Sequence, residues 1–137
     1  MQVDVGIAIA ERAIKLVGVP FRLRGRCVEA GLDCVGVVAH ALECTTCPFD
    51  IPGDYALRGA YLGRISAFFD RDCFRTLEAE RPQPGDIILC RPGDGQLHFA
   101  VFTLRGAVHA HAGLRRVVLT PSPLPWPTIA HWRYTGD

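Results

Sequence analysis

The stretch Gly31-Leu32-Asp33-Cys34-Val35-Gly36-Val37-Val38-Ala39-His40 couples a glycine-containing loop to an apolar run, with a cysteine at the junction. Asp33 suits a helix N-cap, because a carboxylate there accepts a bond from an otherwise unpaired backbone N–H of the first turn. Val35, Val38, Ala39 and Leu42 recur at near-helical spacing, which predicts a buried helix starting at about Cys34. A thiol on that first turn lies at the positive end of the helix dipole, which favours thiolate and hence a nucleophile. The plainer reading is a small buried hydrophobe, which is what a lone cysteine usually is. The rest of the chain has to decide between them.

A chain of 137 residues predicts one domain over 1–137, burying roughly two-thirds of its unfolded surface. Its 49% hydrophobic and 21% charged residues are those of a soluble globular protein. A formal net charge of +1 gives no reason to expect a nucleic-acid partner. No apolar stretch reaches the roughly 20 residues that span a bilayer, so no membrane insertion is expected. The first residues carry an acid at Asp4 and no leading basic cluster, a poor signal peptide. Synthesis in the cytoplasm without such a signal is the expectation.

Six cysteines, at 27, 34, 44, 47, 73 and 90, are irregularly spaced, and the apolar content suffices for a core without staples. Free thiols are the default expectation. Cys44-Thr45-Thr46-Cys47 has the form of a half zinc site or redox pair. Zinc needs about four ligands, however, so Cys27, Cys73, Cys90 or His40 would have to be recruited. No metal and no organic cofactor is expected.

Before the central helix, Val5, Ile9, Ala13, Ile14 and Val17 form one apolar stripe, predicting a helix over about 3–17 that Gly18 and Pro20 end. Arg22, Arg24 and Arg26 follow in an irregular segment; they could lower the pKa of the thiol or hold a substrate carboxylate, or simply be solvated. Residues 48–60 read as a turn-rich loop, and 61–77 as one or two short helices. Beyond Arg81-Pro82-Gln83-Pro84-Gly85-Asp86 the pattern turns strand-like, with runs at 87–90, 97–103, 107–111, 117–119 and 129–134. Helices followed by a meander of strands indicate an α+β fold with an antiparallel sheet.

Two histidines fall on neighbouring strands of that meander. If Thr103 faces Gly106, facing residues have numbers adding to 209; His98 then faces His111, with His109 its diagonal neighbour on the same side. A one-residue change in the turn would put His98 and His109 on opposite faces. A nucleophilic cysteine needs a base within reach, and that imidazole needs a third polar group to fix it. Taken singly, each histidine is more simply a partly buried strand residue.

Pro20-Phe21-Arg22, Gly31-Leu32-Asp33-Cys34-Val35-Gly36, Pro84-Gly85-Asp86-Ile87-Ile88, His98-Phe99-Ala100-Val101 and Val108-His109-Ala110, in this order, resemble the NlpC family of cell-wall cysteine peptidases, nearest to its phage and gene-transfer-agent branch. The resemblance covers nearly the whole chain. It implies a papain-like NlpC-type α+β fold, with N-terminal helices packed on a small antiparallel sheet. It implies cleavage of peptidoglycan stem peptides between D-glutamate and the diamino acid, with Cys34 as nucleophile, His98 as base and His109 as third member. Asp33 is implied as the acid that holds the substrate's amino end, with Phe21 and Arg22 beside it. Phage-like tail or baseplate proteins are the implied partners, and action at the bacterial cell wall the implied setting.

Two departures stand out: Phe21 where relatives often carry tyrosine, and Val35 where many carry serine. His111 rivals His109 for the third position, and the family motif favours His109. Three other readings remain: an N-acetylmuramoyl-L-alanine amidase on the same fold, a structural tail-tip component with little activity, and a domain stabilised by zinc or a disulfide at Cys44 and Cys47.

Overall fold

Asp4 accepts the backbone N–H of Ile7 at 3.2 Å and starts helix α1, Val5–Ile14. The computed structural model describes residues 4–47 and 62–136; the loop expected over 48–60 and the start at Tyr61 lie outside them. Helix α1 ends earlier than the periodicity predicts. Leu16 and Val17 donate to Ala13 and Ile14, three residues back, and this tighter winding rotates the face. Leu16 is therefore buried, and Val17, expected in the stripe, is 44% exposed.

Arg22–Arg26 is not wholly irregular. A short hairpin pairs β1 (Arg26–Cys27) with β2 (Gly31–Leu32), and Gly31 at φ +127 supplies backbone that a side chain would resist. Helix α2 then runs Cys34–Ala41 and passes into a 3₁₀ turn, Leu42–Cys44. Val35, Val38 and Leu42 are buried, as their spacing predicts.

Helix α3 is Leu62–Phe69, but the rest of the expected helical stretch is a strand, β3 (Phe74–Thr76). The reason lies in the sheet. Strands β4 (Ile87–Cys90), β5 (His98–Thr103), β6 (Gly106–His111), β7 (Arg116–Thr120) and β8 (Thr128–Tyr134) are joined in the antiparallel order β3-β8-β4-β5-β6-β7. The Trp132–Tyr134 edge of β8 would otherwise stay unpaired, and Phe74–Thr76 closes it. Phe69 from α3 stacks on Trp132 at 4.0 Å and 9°, sealing that end of the core. Helices α1 and α2 cover the middle strands, with Ile9, Val35, Val38, Phe99, Val101 and Val108 all fully buried between them.

The default of free thiols fails at two positions. Cys47 and Cys73 form a disulfide that ties the end of the α2 turn to the approach of β3, while Cys27, Cys34, Cys44 and Cys90 are free. Cys47 thus pairs across the fold, and not with Cys44 inside its CxxC.

The Pro84-Gly85-Asp86 turn is an anchor as well as punctuation. Gly85, at φ +91, lies so close to Gly6 of α1 that a side chain on either would meet backbone of the other segment. Asp86 is fully buried and accepts Arg133 Nε and Nη2 at 2.9 Å each, the Gln83 N–H at 2.9 Å and His131 Nε2 at 2.6 Å. Burial pushes the carboxyl up, but the bonds from His131, Arg133 and Gln83 outweigh it and hold its pKa below the ordinary value. A group of that kind stabilises the fold above its unfolded pKa and loses the contribution as pH falls through the folded one. Asp86→Ala, which leaves Arg133 and His131 facing a void, is expected to cost about 3–5 kcal/mol in urea unfolding. Wild-type melting temperature should drop below about pH 4, and more steeply than that of Asp86→Asn; equal slopes would contradict the assignment.

Candidate active site

Helix α2 is held by its first turn. Asp33 Oδ1 accepts the Gly36 N–H at 2.8 Å, the expected cap, and also Arg26 Nη1 at 2.9 Å; Oδ2 accepts the Arg24 N–H at 3.0 Å. Gly36 has no room for a side chain, because a Cβ there would run into the carbonyl oxygen of Gly25. The loop and helix therefore close on one another, and Cys34 points from the helix start into a cleft of about 780 Å³. The residue is only 4% exposed, so its sulfur belongs to the cleft floor.

His98 and His109 line the same cleft. The β5–β6 ladder pairs Thr103 with Gly106, Phe102 with Ala107 and Val101 with Val108, the register that the sequence predicts. His98 does not meet His111 across the hairpin. Its Nε2 lies 2.9 Å from Nδ1 of His109, the diagonal neighbour, with the rings edge-to-face at 89°. His111 turns to the cleft mouth, where its Nδ1 accepts the Leu114 N–H at 3.0 Å. It is thus His109 whose ring nitrogen meets His98.

Two neighbours of this pair went unread in the sequence. Thr120 Oγ1 lies 2.7 Å from Nε2 of His109. It shares the His109 face because β6 pairs with β7 as Ala107↔Thr120 and His109↔Val118, a register that needed the 112–115 turn to be read first. Trp126, from the loop before β8, stands edge-on to both imidazoles at 5.5 and 5.3 Å. It carries no periodic signal.

The expected substrate-side residues divide. Phe21 and Asp33 line the cleft, but Arg22 does not; Arg24 takes that place. Arg22 to Gly25 form a turn closed by the Gly25 N–H on the Arg22 carbonyl at 2.8 Å, and with Arg24 left-handed at φ +60 it is Arg24 that lines the cleft. Asp33 already accepts from three protein donors.

The electrostatics reverse one expectation. Burial pushes the Cys34 thiol up to about 12, helped by the adjacent Asp33 carboxylate; backbone hydrogen bonding from Phe99 and Val35 and the charge of Arg26 oppose this without overcoming it. Burial lowers His98 to about 3, with His109 and His111 adding to the effect, and lowers His109 to about 4, with His111 adding. Burial at the cleft floor therefore favours a neutral thiol and a neutral imidazole as the resting pair. In an NMR titration His98 and His109 should remain neutral at pH 5.5, where an ordinary histidine near 6.5 is mostly charged. A midpoint near 6.5 for His98 would contradict this description of the site.

No protein-family model matches this sequence, and no curated protein matches it. Solved structures do. NlpC2 from Trichomonas vaginalis superposes with a TM-score of 0.71 at 17% identity, over 97% of this chain and 48% of that one. The NlpC/p60 domain of the peptidoglycan hydrolase SagA gives 0.59 at 19%, over 93% of this chain and 97% of that one. The peptidoglycan hydrolase RipB from Mycobacterium tuberculosis gives 0.59 at 20%, over 97% and 65%. The chain spans about half the length of the Trichomonas protein and nearly all of the SagA domain. Its α+β architecture is the NlpC/P60 fold.

Proposed function

We propose that this chain is a cysteine peptidase that hydrolyses peptidoglycan stem peptides, at the bond between D-glutamate and the diamino acid. The observation that carries the reading is the His98 Nε2–His109 Nδ1 contact of 2.9 Å in a cleft whose floor is Cys34. That bond occupies one nitrogen of His98 and leaves Nδ1 to address the thiol. Support for the substrate comes from the fold, shared with two proteins described as peptidoglycan hydrolases, and from the ordered sequence motifs.

Chemistry follows from the neutral resting pair. As Cys34 Sγ attacks the scissile carbonyl carbon, its proton passes to His98 Nδ1, so charge develops only with the new S–C bond. The Cys34 backbone N–H, at the start of α2, faces the developing oxyanion. His98 then gives its proton to the departing amine as the C–N bond breaks, leaving a thioester. Water, deprotonated by neutral His98, attacks that thioester; the acid leaves and the thiol regains a proton. His109 keeps the His98 ring in place throughout. Delivery by a phage-like particle, which the motif resemblance implies, belongs to the same proposal and is tested by co-purification with tail-tip proteins.

Purified peptidoglycan digested with wild type should release fragments with new amino termini on the diamino acid, read by mass spectrometry. Cys34→Ala should reduce release to background, and His98→Ala by at least about 10²-fold. New free amino termini on L-alanine, with a free lactyl carboxylate on the sugar, would instead identify an amidase, and undiminished release by Cys34→Ala would end the cysteine mechanism. Because His98 must be neutral to act as base and its pKa is depressed, the acid limb of kcat/KM should fall below pH 5. A limb between pH 6 and 7 would contradict that.

A further inference from the structure

The two histidines and Thr120 can be wired in two ways. In one, His98 Nε2–H donates to His109 Nδ1, His109 Nε2–H donates to Thr120 Oγ1, and His98 Nδ1 keeps a lone pair towards the cleft. In the other, the Thr120 hydroxyl donates to His109 Nε2, His109 Nδ1–H donates to His98 Nε2, and His98 Nδ1 carries a proton already. Both fit heavy-atom distances of 2.9 and 2.7 Å. Only the first leaves His98 a basic nitrogen for the cleft that it shares with Cys34.

The difference sharpens once His98 takes a proton. An imidazolium donates from both nitrogens, so His109 Nδ1 must then accept and the His109 proton must sit on Nε2. His109 is 1% exposed and cannot turn that N–H to bulk solvent. It needs a protein acceptor, and Thr120 Oγ1 stands there. Thr120 itself is half-buried at the end of β7, so its own hydroxyl proton has solvent available. Its backbone is fixed too. Gly106, at φ +133, lies against the Thr120 carbonyl, where a side chain would force the strands apart.

We propose that Thr120 is a positioning residue: its hydroxyl oxygen takes the Nε2 proton of His109, holds His109 Nδ1 as an acceptor, and so keeps His98 Nδ1 as the base for Cys34. This rests on the peptidase reading above, but its signature can be read without turnover. Nitrogen-15 imidazole NMR of the full chain should show both His98 and His109 protonated at Nε2. In Thr120→Val, a change of hydroxyl to methyl, His109 should move its proton to Nδ1. With soluble stem peptide, kcat should fall roughly ten- to a hundredfold with KM within about twofold, melting temperature should hold, and Thr120→Ser should restore both tautomer and rate. A wild-type His109 protonated at Nδ1 overturns the proposal whatever the variants do, including a valine variant that fails to fold. So does a Thr120→Val protein with unchanged tautomer and rate. Absence of any Cys34-dependent turnover in wild type would strike the peptidase reading instead, and the tautomer measurement would still decide the role of Thr120.

Discussion

Asp33 is 5% exposed and shares its two oxygens among the Gly36 N–H, the Arg24 N–H and the Arg26 guanidinium. Those three bonds join the start of α2 to the loop that forms one wall of the cleft. Without the Gly36 bond the first turn of the helix would lose its cap; without the other two the loop would lose its only buried anion. The orientation of Cys34 follows from this, since its residue lies between the cap and the first helical bond. Arg24 also lines the cleft.

A second anchor works from the far side of the sheet. Asp86 gathers Arg133, His131 and the Gln83 N–H into one buried cluster, and the turn that carries it seats against Gly6 of α1. Helix α1 in turn packs on α2 and β5, the elements that carry Cys34 and His98. The two carboxylates therefore act in series: one fixes the start of the helix that carries Cys34, and the other holds the layer that carries His98. Both are expensive to bury and are tolerated because every oxygen meets a donor.

Much of this was legible in the chain because local chemistry and tertiary demand agree. The N-cap at Asp33, the buried face of α2 and the β5–β6 register each depend on a few adjacent residues, and the structure follows them. Reading failed where distant segments decide. Phe74–Thr76 is a strand because β8 has a free edge, which no local pattern announces. Cys47 finds Cys73 across 26 residues and not its CxxC neighbour. Arg24 and not Arg22 lines the cleft, because residues 22–25 turn with Arg24 left-handed. Thr120 and Trp126 reach the histidines only once β7 and the following loop are in place. The thiol's protonation state escaped for another reason: a helix start is visible in sequence, whereas the burial that pushes the thiol up is a property of the assembled cleft.

The central claim is that a neutral thiol at the mouth of α2 becomes covalently joined to an acyl group when His98 takes its proton. Acid-quenched intact and peptide mass spectrometry during turnover of a stem peptide tests it most directly. The expected result is an acyl adduct on the peptide containing Cys34, absent when His98 is replaced by alanine. Turnover with no adduct on Cys34, or with an adduct confined to the exposed Cys27 or Cys44, would contradict it.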